Sequence, residues 1–257
     1  YYQSILDLRA ALKDDFSYFG TIVKSKSIDL DNPLAPYFYY DNYAYDFTFN
    51  YMLDVGNFSV PRLGLIPAIV FFDSYLCICL FFGFFALAGS IRIFKFFYYY
   101  YPIYKKELAL AAIFIPSVSF WSAGLLKDPI CFGSIGFILY AVLNVFIRKV
   151  NVKSSILLII VCGLLIYSIK VYILLAFILA LTIWLFAETN KLIKDSTLRT
   201  IFSLLTFIFS ITIAFLLLNY FTSQEAAQGF KLDTLLEKSE KQRQVFESIK
   251  VEGGSGF

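Results

Sequence analysis

The chain contains no histidine, so any general base in it must be Asp, Glu, Lys or Tyr, and Ser-His-Asp triads and histidine metal sites are excluded. The stretch "LKDDFSYF" sets Asp14 and Asp15 three and four residues before Tyr18. If this stretch is helical, one of the two carboxylates shares a face with the tyrosine. A second acidic cluster, "YYDNYAYDF", holds Asp41 and Asp46 among tyrosines. Such composition suits a sugar-holding surface, with rings against apolar sugar faces and carboxylates on hydroxyls, and it equally makes an ordinary solvated loop. Arg62, in "SVPRLGL", offers a planar fork for phosphate just ahead of the first long apolar run. Lys127 and Asp128 stand side by side in "GLLKDP" between apolar segments. Either they serve as hairpin polarity or they offer a cation to a ligand. Lys170 divides "IYSIKVYILL". A lysine in such a run either snorkels to the interface or holds a fixed anion, which is an acidic side chain or the phosphate of a lipid-linked ligand.

The elements that must position these groups are membrane helices. Of 257 residues, 59% are hydrophobic and 16% charged, and the mean hydropathy is +0.71. A soluble domain carries about 25% charged residues. The apolar residues gather into runs, predicting spans at about 74–94, 107–126, 129–147, 154–169, 171–187 and 199–221. The expected fold is therefore all-α: a polytopic integral membrane protein with about six visible transmembrane helices, plus outer-face loop and interfacial helices. Residues 1–73 form an acidic, tyrosine-rich outer segment with an interfacial stretch at 64–72. Residues 222–257 form a polar tail that includes a charged amphipathic helix suited to docking a protein partner. The sequence lacks an initiating methionine and stops in "GGSGF", so further helices at either end are expected.

Cations alternate between the loops. Arg92, Lys95, Lys105, Lys106, Arg148, Lys149, Lys153, Lys191, Lys194 and Arg199 fall on one side, and only Lys127 and Lys170 occupy the alternating short connections. The positive-inside rule makes the cation-rich side cytoplasmic. Residues 1–73, Lys127–Asp128, Lys170 and the tail then share the outer face. Cys77, Cys79, Cys131 and Cys162 lie inside apolar runs and read as small apolar fillers. A net charge of +3 gives no nucleic-acid surface. No Walker A sequence, dinucleotide loop or metal-binding cysteine cluster is present. The outer carboxylates could hold a divalent cation, although no spacing demands one.

The stretch "PSVSFWSAGLLKD" resembles a pattern in bacterial membrane proteins, many of Bacteroidetes, linked to surface-polysaccharide synthesis. The matching residues are Pro116, Ser117, Phe120, Trp121, Gly124, Lys127 and Asp128. Ala123 replaces a common serine, and Val171 follows Lys170 where proline is frequent. The resemblance covers roughly residues 43–187. Those proteins look like membrane glycosyltransferases of the GT-C class, and loosely like oligosaccharide polymerases. "DDFSY" is similar to the short acidic run of their first outer loop. The resemblance implies a polyprenyl-phosphate sugar donor and a glycan or protein acceptor at the outer face of a bacterial inner membrane. It also implies Asp14 or Asp15 as the base, and Lys127, Lys170 and Arg62 on the donor phosphate. Tyr18, Asp41, Asp46, Trp121 and Asp128 would be further substrate contacts. A transporter or flippase for a lipid-linked or polar solute, or a non-catalytic subunit that docks a partner, are the competing readings.

Overall fold

A computed structural model describes residues 1–28, 31–38 and 55–191, together with the isolated residues 197, 198, 200, 202, 208, 212 and 215. Tyr1–Phe177 and Ile178–Phe257 form two compact units. Among the described residues every regular element is helical. Three helices come first: α1 (Tyr2–Asp14), α2 (Tyr18–Lys24) and α3 (Val55–Val70). From Tyr75 onward, besides a short 3-10 turn at Pro102–Tyr104, seven helical segments follow among the described residues. They are α4 (Tyr75–Tyr100), α5 (Lys105–Ile113), α6 (Pro116–Ser122), α7 (Lys127–Val142), a π-helical turn (Leu143–Arg148), α8 (Val152–Ile169) and α9 (Val171–Asn190).

Among the described residues four helices are long and apolar enough to cross a membrane: α4, α7 with its π-helical extension, α8 and α9. These correspond to the expected runs 74–94, 129–147, 154–169 and 171–187. The run expected to span continuously at 107–126 does not. Its helix stops at Ile113 and restarts at Pro116. Proline has no N–H to give and disfavours helical backbone in the residue before it, and Ile115 is accordingly extended (φ −66°, ψ 118°). The run at 199–221 and the tail at 222–257 lie almost wholly outside the described residues.

The break has a topological role, because α4 and α7 run parallel. On α4 and α7 the contacts advance together: a Cβ on Gly133 would sit 2.6 Å from the Phe85 ring, and four residues further along α7 the Phe137 ring lies 4.0 Å under the guanidinium of Arg92, seven residues further along α4. Between these contacts the backbones nearly touch: a Cβ on Gly89 would sit 2.5 Å from the Gly133 Cα. Such small-residue contacts let helices approach closely where lipid supplies no hydrophobic drive. Two parallel neighbours need a return path, and residues 102–126 provide it. Gly83 of α4 faces Ser122 and Ala123 at the far end of that return. The stretch expected as a span at 107–126 is thus a return path of two short helices. α7 and α8 then form an antiparallel hairpin through a strained turn, with Lys149 (φ 54°) and Asn151 (φ 50°) left-handed.

The N-terminal helices cap the end of the bundle where α4 and α7 begin. Ile5 of α1 and Val60 and Ala68 of α3 share a buried cluster with Ile78, Phe82, Leu125, Ile130 and Ile169. The remainder of α1 closes a second core with Ile22, Ile28, Leu34, Phe38 and Phe58. The turn from α3 into α4 needs two left-handed residues, Phe72 (φ 51°) and Asp73 (φ 63°), each costing about 1–2 kcal/mol. Helix α1 holds that turn: Arg9 pairs with the Asp73 carboxylate and donates to the Ala68 carbonyl at 2.8 Å. Tyr2 donates to the Asp73 carbonyl at 2.6 Å. The acidic outer segment of the sequence reading is therefore, in its described parts, a packed helical cap.

Candidate functional site

Residues 116–128 form one wall of the site. Pro116 occupies the first turn of α6, where its missing N–H costs nothing. Ser119 Oγ reaches back across the break to the Ile113 carbonyl at 3.2 Å. The chain then turns through residues 123–126, closed by the Leu126 N–H on the Gly124 carbonyl at 3.0 Å. Leu126 is extended (φ −133°, ψ 172°), and α7 starts at Lys127 with Asp128 in its first turn.

Lys170 forms the other side. It is the single residue between α8 and α9, and its backbone leaves the helix (φ −145°, ψ 80°). Its N–H still closes α8 on the Ile166 carbonyl at 2.8 Å, and its carbonyl accepts from the Ile173 N–H at 3.0 Å. Its ammonium meets Asp128 Oδ1 at 2.6 Å. Of the two alternatives for this lysine, snorkelling or a fixed anion, the structure gives the anion, and it is a carboxylate forty-two residues away. The Lys170 side chain is 22% exposed and that of Asp128 45% exposed. An ammonium has three donors, and Asp128 takes one of them.

Asp128 of the pair lines a cavity of about 310 Å³. Ser117, Trp121 and Ser122 of α6, Cys131 of α7 and Ile173 of α9 also line it, with Phe132 and Ile135 further along α7. The Ser122 hydroxyl is turned onto the Val118 carbonyl. Trp121 and Phe120 are 55% and 73% exposed, so the α6 wall faces out of the bundle. Trp121 and Asp128, both sequence-derived candidates, line this cavity, and Lys170 adjoins it through Asp128. Lys127 is the residue preceding Asp128 on the first turn of α7.

Arg62 sits elsewhere and is already engaged. Its guanidinium donates to the Ser25 carbonyl at 2.8 Å and to Ser59 Oγ at 3.0 Å, and it lies 4.9 Å from the Phe58 ring centre. Burial lowers its pKa. Ser59 Oγ donates to the Val55 carbonyl at 2.8 Å and also lies 3.2 Å from the Ser168 carbonyl. Arg62 therefore holds Ser59, whose hydroxyl reaches the end of α8 two residues before Lys170.

Asp14, Asp15 and Tyr18 lie at the far end of α1, over the second core. Asp14 accepts from the Tyr37 hydroxyl at 3.0 Å, and the rings of Tyr37 and Tyr18 meet edge to face at 5.9 Å. Asp15 Oδ1 accepts the Ser17 N–H at 2.7 Å, which holds the Asp15 carboxyl below its ordinary pKa. Asp15 follows the last helical residue of α1, so the two aspartates are helix-end groups. The expected face shared with Tyr18 on one helix is replaced by a contact through Tyr37. Asp41 and Asp46 lie outside the described residues.

Cys77 and Cys79 are half-buried and Cys131 and Cys162 buried, and all four are free thiols. Among the described residues no three carboxylates or thiols gather as a metal site. Sequence reasoning missed three features: the Arg9–Asp73 staple, the Ser59–Ser168 link and the identity of Lys170's partner. The last was within reach, because the alternation of charges already put Asp128 and Lys170 on the same end of two neighbouring hairpins.

Compared with known proteins, the chain matches no family model, no curated protein and no solved structure.

Proposed function

We propose that this chain is a membrane glycosyltransferase of GT-C-like type, or a polymerase of polysaccharide repeat units. It uses a polyprenyl-phosphate-linked sugar at the outer face of a bacterial inner membrane. The observation that supports this best is the Lys170–Asp128 pair at 2.6 Å, set at the end of two apolar helices, with Asp128 in the wall of a largely apolar cavity. A lipid-linked donor has that shape: a tail that stays in lipid and a phosphate at the boundary.

The roles follow from the chemistry. An acceptor hydroxyl attacks the anomeric carbon of the donor. The bond from that carbon to the phosphate oxygen breaks, and the electron pair leaves with polyprenyl phosphate. Lys170 and Lys127 offset the charge that grows on the leaving phosphate. Asp14 or Asp15 takes the acceptor proton, and the Ser17 N–H favours the ionised form of Asp15. Asp128 orients Lys170 and lowers the net charge of the site before the donor binds.

The test is native mass spectrometry with added polyprenyl phosphate, followed by sugar transfer from a labelled glycosyl polyprenyl phosphate in proteoliposomes. Lys170→Ala weakens binding about tenfold, the loss of one charge-assisted contact of about 1.4 kcal/mol. Asp128→Asn leaves binding unchanged or tighter, because it removes the anion that competes with phosphate. Equal binding in wild type and both variants refutes the reading. The broken crossing at residues 114–115 favours a transporter as the second reading, since broken helices are a feature of transporters. Movement of labelled lipid across the bilayer with no new glycosidic bond decides for it.

A further inference from the structure

Resting on that reading, we infer that the cavity between α6, α7 and the start of α9 holds the phosphate-proximal end of the ligand's apolar chain. The protein reads the phosphate and only the first 10 Å or so of the tail. One end of the cavity is ionic, with Asp128 bridged to Lys170. From there the lining descends α7 through Cys131, Phe132 and Ile135. Seven residues of helix from Asp128 to Ile135 rise about 10.5 Å. The facing wall is Trp121 on one side and Ile173 on the other.

A sugar is the wrong occupant for this space. Its hydroxyls would lose water against a lining that is apolar apart from Ser117, Ser122 and Asp128, which costs free energy for each group left unpaired, and the Ser122 hydroxyl is turned away onto Val118. An apolar chain needs no such partners. A chain can also enter sideways, because the α6 wall is the short, outward-facing half of a broken crossing. The shared ligand chemistry is a phosphate on a single apolar chain, and the tail beyond Ile135 lies outside the recognised part.

The test uses the whole protein in detergent and native mass spectrometry with three probes: long-chain polyprenyl phosphate, citronellyl phosphate and decyl phosphate. Wild type binds the long chain and at least one short chain within about threefold of each other; the tighter short chain tells isoprenoid from straight-chain lipid. Ile135→Trp and, independently, Ile173→Trp fill the cavity and weaken all binding at least tenfold. Leu157→Trp, on the exposed face of α8, does not. Melting temperatures of the variants confirm that they fold. If both cavity variants bind as wild type while Lys170→Ala still weakens binding, the cavity assignment falls and the phosphate site stands. If only the long chain binds, recognition extends past Ile135 and the assignment also falls. If wild type binds none of the three, the assignment and the proposed function fall together.

Discussion

The Lys170–Asp128 pair should be worth about 1–2 kcal/mol of stability, well below its bare Coulomb energy. At 2.6 Å, two unit charges attract by about 6 kcal/mol at an effective dielectric near 20, and by about 1.6 kcal/mol in bulk water. Asp128 is 45% exposed, so solvent screens its side of the pair and pulls the value toward the lower figure. Lys170, at 22% exposure, has given up more water, which opposes the gain. The pair also closes a long connection, from the start of α7 to the end of α8, and neither partner gains from local helix geometry. The assay is a double-mutant cycle of Asp128→Asn, Lys170→Met and the double variant. Each is unfolded by a rising mole fraction of dodecyl sulfate in mild detergent. A coupling energy of about 1–2 kcal/mol is expected, with Asp128→Asn alone costing more than the double variant relative to Lys170→Met, because it strands a charge in apolar surroundings. Coupling under about 0.3 kcal/mol, with additive single effects, would refute the pairing.

Two further outcomes follow from the packing and the cap. Gly133→Leu should destabilise by about 1–3 kcal/mol through overpacking, since even a Cβ there lies 2.6 Å from the Phe85 ring; Gly163→Ala, which meets nothing within 4 Å, should be neutral or gain a few tenths of a kcal/mol on the same unfolding scale. Tyr37 has its pKa raised from 10.0, first by burial and then by its hydrogen bond to Asp14. A raised folded-state pKa means that its contribution is complete below about pH 10 and is lost as pH climbs through the higher value. The difference in melting temperature between wild type and Tyr37→Phe should therefore be flat from pH 7 to 9 and shrink above 10; a difference that shrinks on acidification instead, down to pH 6, would remove that account.

The apolar runs made four long helices legible because each is close to the length a bilayer requires, and the one proline among them, Pro129, falls in the first turn of α7, where it is tolerated. The run at 107–126 misled for a local reason. Its composition suits a span, but Pro116 falls in mid-run, and hydropathy averages over the break that one residue imposes. The parallel order of α4 and α7 was already implied by counting a crossing between them, whereas the contact through Gly89, Gly133 and Gly136 was not. Glycine in an apolar run carries no sign of which neighbour it faces. Lys170 was recognisable as an anomaly, since a cation among apolar residues needs a reason, and its partner was restricted to the few carboxylates at the same end. The cap was the least legible part. Asp14, Asp15, Asp41 and Asp46 were conspicuous as carboxylates beside tyrosines, but a polar surface and a binding surface have the same composition. The staple that holds the cap, Arg9 on Asp73, joins residues whose sequence neighbours suggest nothing about each other.

The parallel order of α4 and α7 also gives the bundle an electrical polarity. Each helix carries about half a positive charge at its N-terminus and half a negative charge at its C-terminus. In an alternating bundle these fields largely cancel from neighbour to neighbour, but here two close-packed helices add. Their C-terminal ends lie where Lys95, Arg148 and Lys149 supply compensating cations. Their N-terminal ends, at Tyr75 and Lys127, point the other way, toward the cap and Lys170. The backbone thus adds to the few cations of the short connections at that end, and an anion arriving at Lys170 meets a field that the lysines of those connections alone understate.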